Sequence, residues 1–293
     1  MRAFAEYNPL TVFVHFMAVI VVAMFIPNPI LLVEVLIGSI VFYKIIFGKI
    51  TGKTILLWSV LFLGMTLINP LFSHNGVTVL FFLNGQAITL EALLYGMNNA
   101  LMILSVFIAF LSFSEIMTVD KIMYLFGKIS PKIALFLSLT LRYIPMLRRQ
   151  AKKISDTQHT LGMYKENNVV DGFKSTMSIF SALVTWSIEM SVSTADAFYA
   201  RGGELKNRKS FSFFRISKTD VFMIVFFAIL FGTVLFVQSK GGLKTEFYPS
   251  FSLPTNTPDT WTAYSLYAVL VLFPIVCTVL GNRKRKRAFL WNC

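Results

Sequence analysis

Charge is scarce in this chain, and so are most side chains that carry chemistry. Asp, Glu, Lys and Arg make up 14% of its 293 residues, while 56% are hydrophobic. Soluble domains carry about 25% charged residues, so a water-soluble globular domain of this length is excluded. There are two cysteines, Cys277 within an apolar run and Cys293 at the last position. Their spacing is that of neither a disulfide framework nor a metal site, and it leaves the redox compartment open. The three histidines, His15, His74 and His159, are scattered and form no metal constellation. No Gly-x-x-x-x-Gly-Lys-Ser/Thr loop occurs, so the chain is not expected to hydrolyse ATP itself. Arg2 and Glu6 precede an apolar run that no small-residue cleavage site follows, so no cleavable signal is expected.

What is abundant is apolar length. A helix needs roughly 20 apolar residues to cross a bilayer, and six such stretches lie at about 10–26, 29–47, 54–71, 90–113, 218–238 and 262–281. Each is bounded by charge, Pro or Gly, and Pro27-Asn28-Pro29 makes a tight turn between the first two. Lys and Arg in the short loops set the orientation. With the N-terminus in the cytoplasm, the outward segments 27–29, 72–89 and 239–261 hold only Lys240 and Lys244, which leaves 25 of the 27 basic residues inside. The C-terminus then lies inside too. The net charge of +13 therefore gathers at the inner membrane surface, and Arg283-Lys284-Arg285-Lys286-Arg287 reads as a topology anchor beside anionic lipid. No nucleic-acid partner is expected.

The segment 114–217 between the fourth and fifth spans is too long for an ordinary connector. Its apolar runs at about 133–147 and 176–199 resemble spans by hydropathy alone. If both crossed the membrane, Arg148, Arg149, Lys152, Lys153, Lys165 and Lys174 would lie outside, against the charge rule. In the second run Ser178, Ser181, Thr185, Glu189, Ser193 and Asp196 recur every three or four residues, along one helical face. Phe180, Leu183, Val184, Trp186, Ile188 and Met190 cover much of the rest. Such a helix lies at the membrane base or against protein. The pattern predicts two long helices, about 131–162 and 172–201, joined by a polar loop 163–171, with Pro145 kinking the first. Gly162 follows the first helix and Gly202-Gly203 the second, as left-handed caps do.

The second helix ends in Asp196-Ala197-Phe198-Tyr199-Ala200-Arg201-Gly202-Gly203. Two readings of Arg201 are open from the local residues. It caps its helix and touches lipid phosphate, since a cation suits the negative end of the dipole. Or it protrudes between small neighbours into a partner's groove and pairs with a carboxylate through two hydrogen bonds.

Four short motifs settle on one family. They are Ala200-Arg201-Gly202, Arg142-Tyr143-Ile144-Pro145, Asn69-Pro70-Leu71-Phe72, and Thr89-Leu90-Glu91-Ala92-Leu93-Leu94-Tyr95-Gly96. In this order and topology, over about residues 10–235, the chain resembles the transmembrane T component (EcfT/CbiQ-like family) of energy-coupling factor (ECF) transporters. These are ATP-binding-cassette importers of vitamins and metals. The resemblance implies a non-catalytic subunit with two cytoplasmic ATPase partners, which bind the ATP, and a small membrane S component that captures substrate. It implies that Arg201 pairs with an acidic residue of one ATPase. The family shows a similar signature at both coupling-helix ends. Here the first reads Gln158-His159-Thr160-Leu161-Gly162, with Leu161 where arginine is expected. That end is engaged apolarly, or through His159 or Lys165, or is weakly coupled; asymmetric engagement with Arg201 dominant is the reading favoured.

Two other classes compete. A membrane enzyme needs paired acids, a metal cluster or an activated nucleophile, but the acids singled out in or beside spans, Glu34 and Glu91, lie far apart in the chain. A secondary transporter or channel often carries internal repeats and midplane polar residues, whereas only Asn98 and Asn99, with Gly96, form a polar patch, which suits helix packing. The expected architecture is thus an all-α polytopic membrane protein of about six transmembrane helices, with a long cytoplasmic coupling-helix hairpin between the fourth and fifth. Its parts are a four-span region 1–113, a coupling-helix region 114–217 and a two-span region 218–293 with a basic tail. The expected location is a prokaryotic plasma membrane, with no cofactor held by the chain itself.

Overall fold

A computed structural model of the chain describes residues 4–73, 76–83, 86–162, 169–203, 214, 216–249, 251–252, 254 and 257–291. Their elements run in order: a 3-10 turn Phe4–Glu6, α1 Pro9–Phe25, α2 Pro29–Phe47, α3 Gly52–Phe72, β1 Val79–Leu83, β2 Gln86–Thr89, α4 Leu90–Ile116, α5 Val119–Ile129, α6 Pro131–Thr160, α7 Val169–Ala200, α8 Lys218–Ser239 and α9 Pro258–Trp291. The chain divides into two compact units, one of residues 1–122 with 214–293 and one of residues 123–213.

The first unit is a helical bundle. Five helices are long and apolar enough to cross a membrane: α2, α3, α4, α8 and the first part of α9, Pro258–Gly281. The remaining expected span is α1, apolar but only 17 residues long. Asn8-Pro9 and Ile26-Pro27 confine it to about 25 Å at 1.5 Å per residue, at the short end for a hydrocarbon core of about 30 Å. Its length is matched by enclosure, for Val12, His15, Phe16, Val19, Val22 and Ala23 are all buried.

The two Asn-Pro pairs use one device. Asn8 and Asn28 each accept a hydrogen bond from the amide two residues on, at 3.0 Å, and the following proline occupies the first helical position, where no N–H is needed. Asn28 does more, donating through Nδ2 to the Leu243 carbonyl at 3.1 Å and to the Tyr264 hydroxyl oxygen at 3.0 Å. Asp220, at the start of α8, accepts from the Asn8 amide at 3.2 Å and ties the opening of α1 to α8. Tyr267 in α9, wholly enclosed, donates to the Val19 carbonyl at 3.0 Å. Phe4, Phe16, Phe42 and Phe227 fill the centre with edge-to-face and tilted contacts.

Glycines let helices approach closely. A methyl group on Gly38 of α2 would lie 2.1 Å from Val271 Cγ1 of α9, and one on Gly96 of α4 would lie 2.7 Å from the Thr66 carbonyl oxygen of α3. Small residues at crossings are the usual source of tight packing inside a membrane. The motif Asn69-Pro70 serves the second crossing, for Asn69 Nδ2 donates to the Ala92 carbonyl at 2.7 Å. Asn98 likewise packs helices, donating to the Pro27 carbonyl at 3.2 Å.

Three features depart from the sequence reading. The loop 72–89 contains an antiparallel hairpin, β1 with β2, in an otherwise helical chain. An additional amphipathic helix, α5, occupies 119–129, where no element was expected. Lys121, on its first turn, donates to the Ala5 and Ile116 carbonyls, both at 2.8 Å, and burial pushes its ammonium below the ordinary lysine range. The backbone of α9 continues as helix beyond 281 through the basic run to Trp291, where a tail was expected after the span.

Candidate functional site

The second unit holds the two helices on which the predicted site residues lie. The first, α6, runs unbroken through Pro145. The second, α7, begins at Val169 rather than at about 172, and the rest of the expected loop, 163–168, lies outside the described residues together with Lys165. Side chains join the pair at two levels. The Tyr143 hydroxyl donates to Thr194 Oγ1, and Gln158 Nε2 donates to Ser178 Oγ at 3.1 Å. Residues rising along α6 meet residues falling along α7, so the pair is antiparallel.

The inward face of α7 carries Ser175, Ile179, Leu183, Trp186, Met190 and Thr194, all buried or half-buried. Ser178, Ser181, Thr185, Glu189, Ser193 and Asp196 are exposed, as their shared face predicts. A further exposed stripe is apolar: Phe173, Met177, Phe180, Val184, Ile188 and Val192. Spacings of three and four mark it in the sequence, but an exposed stripe and a buried one are alike in pattern until the partner helix is placed.

The two helix ends share a left-handed glycine whose amide bonds back to the last turn. At the end of α7, the Gly202 amide donates to the Tyr199 carbonyl and the Gly203 amide to the Phe198 carbonyl, both at 2.9 Å, with Gly202 at φ 72°. This paired pattern, closing through a left-handed glycine, satisfies the orphan carbonyls of the last turn. Arg201 is the residue between the helix and that glycine. At the end of α6, the Gly162 amide donates to the His159 carbonyl at 3.1 Å, with Gly162 at φ 68°. Leu161 stands between helix and glycine there. Arg201 and Leu161 therefore occupy equivalent positions. Both are exposed, Leu161 by 67%.

No described carboxylate pairs with the Arg201 guanidinium. Ala200 is exposed, and Gly202 and Gly203 are half-exposed. A Cβ on Gly203 would lie 2.1 Å from the Phe198 ring, which would have to turn aside. His159 is exposed, whereas Gln158 is half-buried and spends its amide on Ser178 within the hairpin. From the two levels of pairing, the caps fall at opposite ends of the hairpin, on the order of 40 Å apart along its axis at 1.5 Å per helical residue.

Two intramembrane groups that the sequence singled out lie elsewhere, in the first unit. His15 is enclosed by the rings of Phe4, Phe16 and Phe227, with centroids 4.9 to 5.4 Å away. Together with Ser39 and Ser112 it lines a cavity of about 20 Å³, room for roughly one water. Glu34 is half-buried in α2. Among the described residues no group of three or more His, Cys, Asp or Glu is arranged to hold a metal ion.

Five apolar helices of crossing length define a multi-pass membrane protein, which also carries an antiparallel helix pair with exposed, glycine-capped ends. The model of the CbiQ family, described as cobalt transport protein, matches residues 4–211, more than two thirds of the chain. The chain belongs to this family of membrane transport components. No curated protein matches the chain.

Proposed function

We propose that this chain is the coupling subunit of an ECF transporter, converting ATP-driven closure of two cytoplasmic ATPases into movement of a substrate-binding S component. The observation that carries this reading is the pair of equivalent, exposed helix ends at Arg201 and Leu161, at opposite ends of one hairpin. Two ends on the order of 40 Å apart suit two separate ATPase grooves better than one. Arg201 enters the first groove and pairs with a carboxylate there, for which a planar five-donor fork is well shaped. Leu161 enters the second as an apolar plug, with His159 beside it, so engagement is asymmetric. Ala200 and Gly202 keep the approach to Arg201 clear, and Gly162 does so for Leu161. Gln158 holds the first end in place by its bond within the hairpin. ATP is held by the partner subunits and no cofactor by this chain.

The exposed apolar stripe Phe173, Met177, Phe180, Val184, Ile188, Val192 offers the S component a surface that shifts when the helix ends shift. Substrate choice, a metal or a vitamin, then resides in that component. The basic residues gather on one side of the spans, which puts the hairpin and both termini in the cytoplasm of a prokaryotic plasma membrane.

The test is affinity purification of the tagged full chain from its native host in mild detergent, with mass spectrometry of what accompanies it. Recovery of two ATPases and a small membrane protein is the expected result. Recovery of the chain alone, monodisperse and able to move solute after reconstitution, overturns the reading in favour of a self-sufficient carrier.

A further inference from the structure

We infer that the β1–β2 hairpin between α3 and α4 is a membrane-surface anchor, with its apolar side chains seated in the interfacial layer of the lipid leaflet where those two spans end. From Thr54 to Leu90 the chain has no Asp, Glu, Lys or Arg. Within that stretch Val77, Val79, Leu80 and Phe82 are exposed, Phe82 by 71%. Leu80 and Phe82, two apart in the strand and so on one face, are both exposed, and Val79 adds apolar surface across the break in register between Val79 and Phe81. An isolated two-stranded hairpin is marginal in water, and a run of neighbouring apolar residues in a strand reads as covered on both faces. Of the second strand, Ile88 and Thr89 are buried.

Position identifies lipid as the cover. The hairpin is held to the first turn of α4 by Glu91, a buried carboxylate that accepts from the Thr78 amide at 3.2 Å and from the Thr78 hydroxyl. The Leu90 amide donates to the Thr78 carbonyl at 3.0 Å, a second tie at the same point. The ribbon is therefore fixed where a transmembrane helix begins. Its apolar surface continues that of α3, whose Leu67, Ile68, Leu71 and Phe72 are exposed along the last turns. Open strand edges are not tolerated in hydrocarbon, because their amides and carbonyls would go unpaired. The interfacial layer resolves this conflict, since the edges stay hydrated while the side chains leave water. In the topology proposed above, this is the outer leaflet.

The experiment uses the full chain alone in lipid nanodiscs with Cys293→Ser, leaving the buried Cys277 unlabelled. A nitroxide is attached at Phe82→Cys, with Leu80→Cys as a second site in case the first disturbs the fold. Phe236→Cys, exposed on α8, is the lipid reference, and Lys244→Cys the aqueous one. Accessibility to oxygen, which concentrates in lipid, is compared with accessibility to a water-soluble nickel complex. The expected result is an oxygen-to-nickel ratio at 82 or 80 several-fold above that at 244 and close to that at 236. A ratio matching position 244 overturns the inference, as does shielding from both relaxants, which means a second copy of the chain covers the hairpin. Neither result bears on coupling to ATPases.

Discussion

Replacing Arg201 separates partner binding from folding, because the geometry of its helix end does not depend on the guanidinium. The cap is made by the Gly202 and Gly203 amides on the Tyr199 and Phe198 carbonyls. Arg201→Ala therefore costs the hairpin only the interaction of an exposed cation with the helix dipole, about 0.3–1 kcal/mol. If the side chain pairs with a desolvated carboxylate in the ATPase groove, its truncation costs about 2–5 kcal/mol in binding. At about 1.4 kcal/mol per decade, that weakens Kd by roughly 30- to several-thousand-fold. Leu161 sets the comparison. Full burial of a leucine contributes about 1.5–3 kcal/mol; with 67% of the residue exposed and free to be covered, Leu161→Ala loses about 1–2 kcal/mol. The assay is titration of the purified ATPase pair, with ATP, onto the chain in nanodiscs, beside a thermal melt of each variant. Arg201→Ala is expected to lose far more affinity than Leu161→Ala while leaving the melt nearly unchanged, and Arg201→Glu to abolish binding. Equal losses at the two positions refute the asymmetry. A melting temperature that falls in step with affinity refutes the separation of binding from folding.

Three further outcomes follow from the packing. Gly38→Ala places a methyl group 2.1 Å from Val271 Cγ1, so it should destabilise the bundle by about 1–3 kcal/mol; the melt should recover in Gly38→Ala with Val271→Ala, as coupled neighbours do. Asn28→Ala removes a helix cap and leaves the Leu243 carbonyl and Tyr264 hydroxyl short of a donor, a loss of about 2–4 kcal/mol visible as a lower melting temperature. Gly202→Ala forces a side chain into the left-handed region at φ 72°; the strain of about 1–2 kcal/mol should fray the last turn of α7, seen as faster amide exchange at Gly202 and Gly203, without changing exchange in α8.

The spans were legible because crossing a bilayer demands a contiguous apolar run, a property of neighbours in the chain. The charge-rich 148–153 stretch separated the hairpin from the spans by the same local logic. The glycine ends at 162 and 202 were legible too, since a left-handed cap is specified within six residues. Elements whose stability is borrowed were less so. The hairpin 79–89 lies in an apolar stretch with Asn84-Gly85 as its only turn signal, and α5 is 11 residues long with no fully buried side chain, too short to stand out by period alone. The span boundaries drifted where a cap or a neighbouring helix extended them, as α4 does to Ile116.

By itself, then, the sequence determined a polytopic helical membrane protein, the side on which its positive charge gathers, and a long helix pair ending in glycine caps. Each of these depends on residues adjacent in the chain or one turn apart. Only the tertiary structure decided that Gln158 is occupied by Ser178, that Gly38 and Gly96 exist for the approach of α9 and α3, and that Glu91 pins a hairpin to the start of α4. It also set the register of α6 against α7, which carries Leu161 and Arg201 to opposite ends of one antiparallel pair. These are relations between residues far apart in the chain, set by which surfaces meet when the helices pack, and no local pattern encodes the partner.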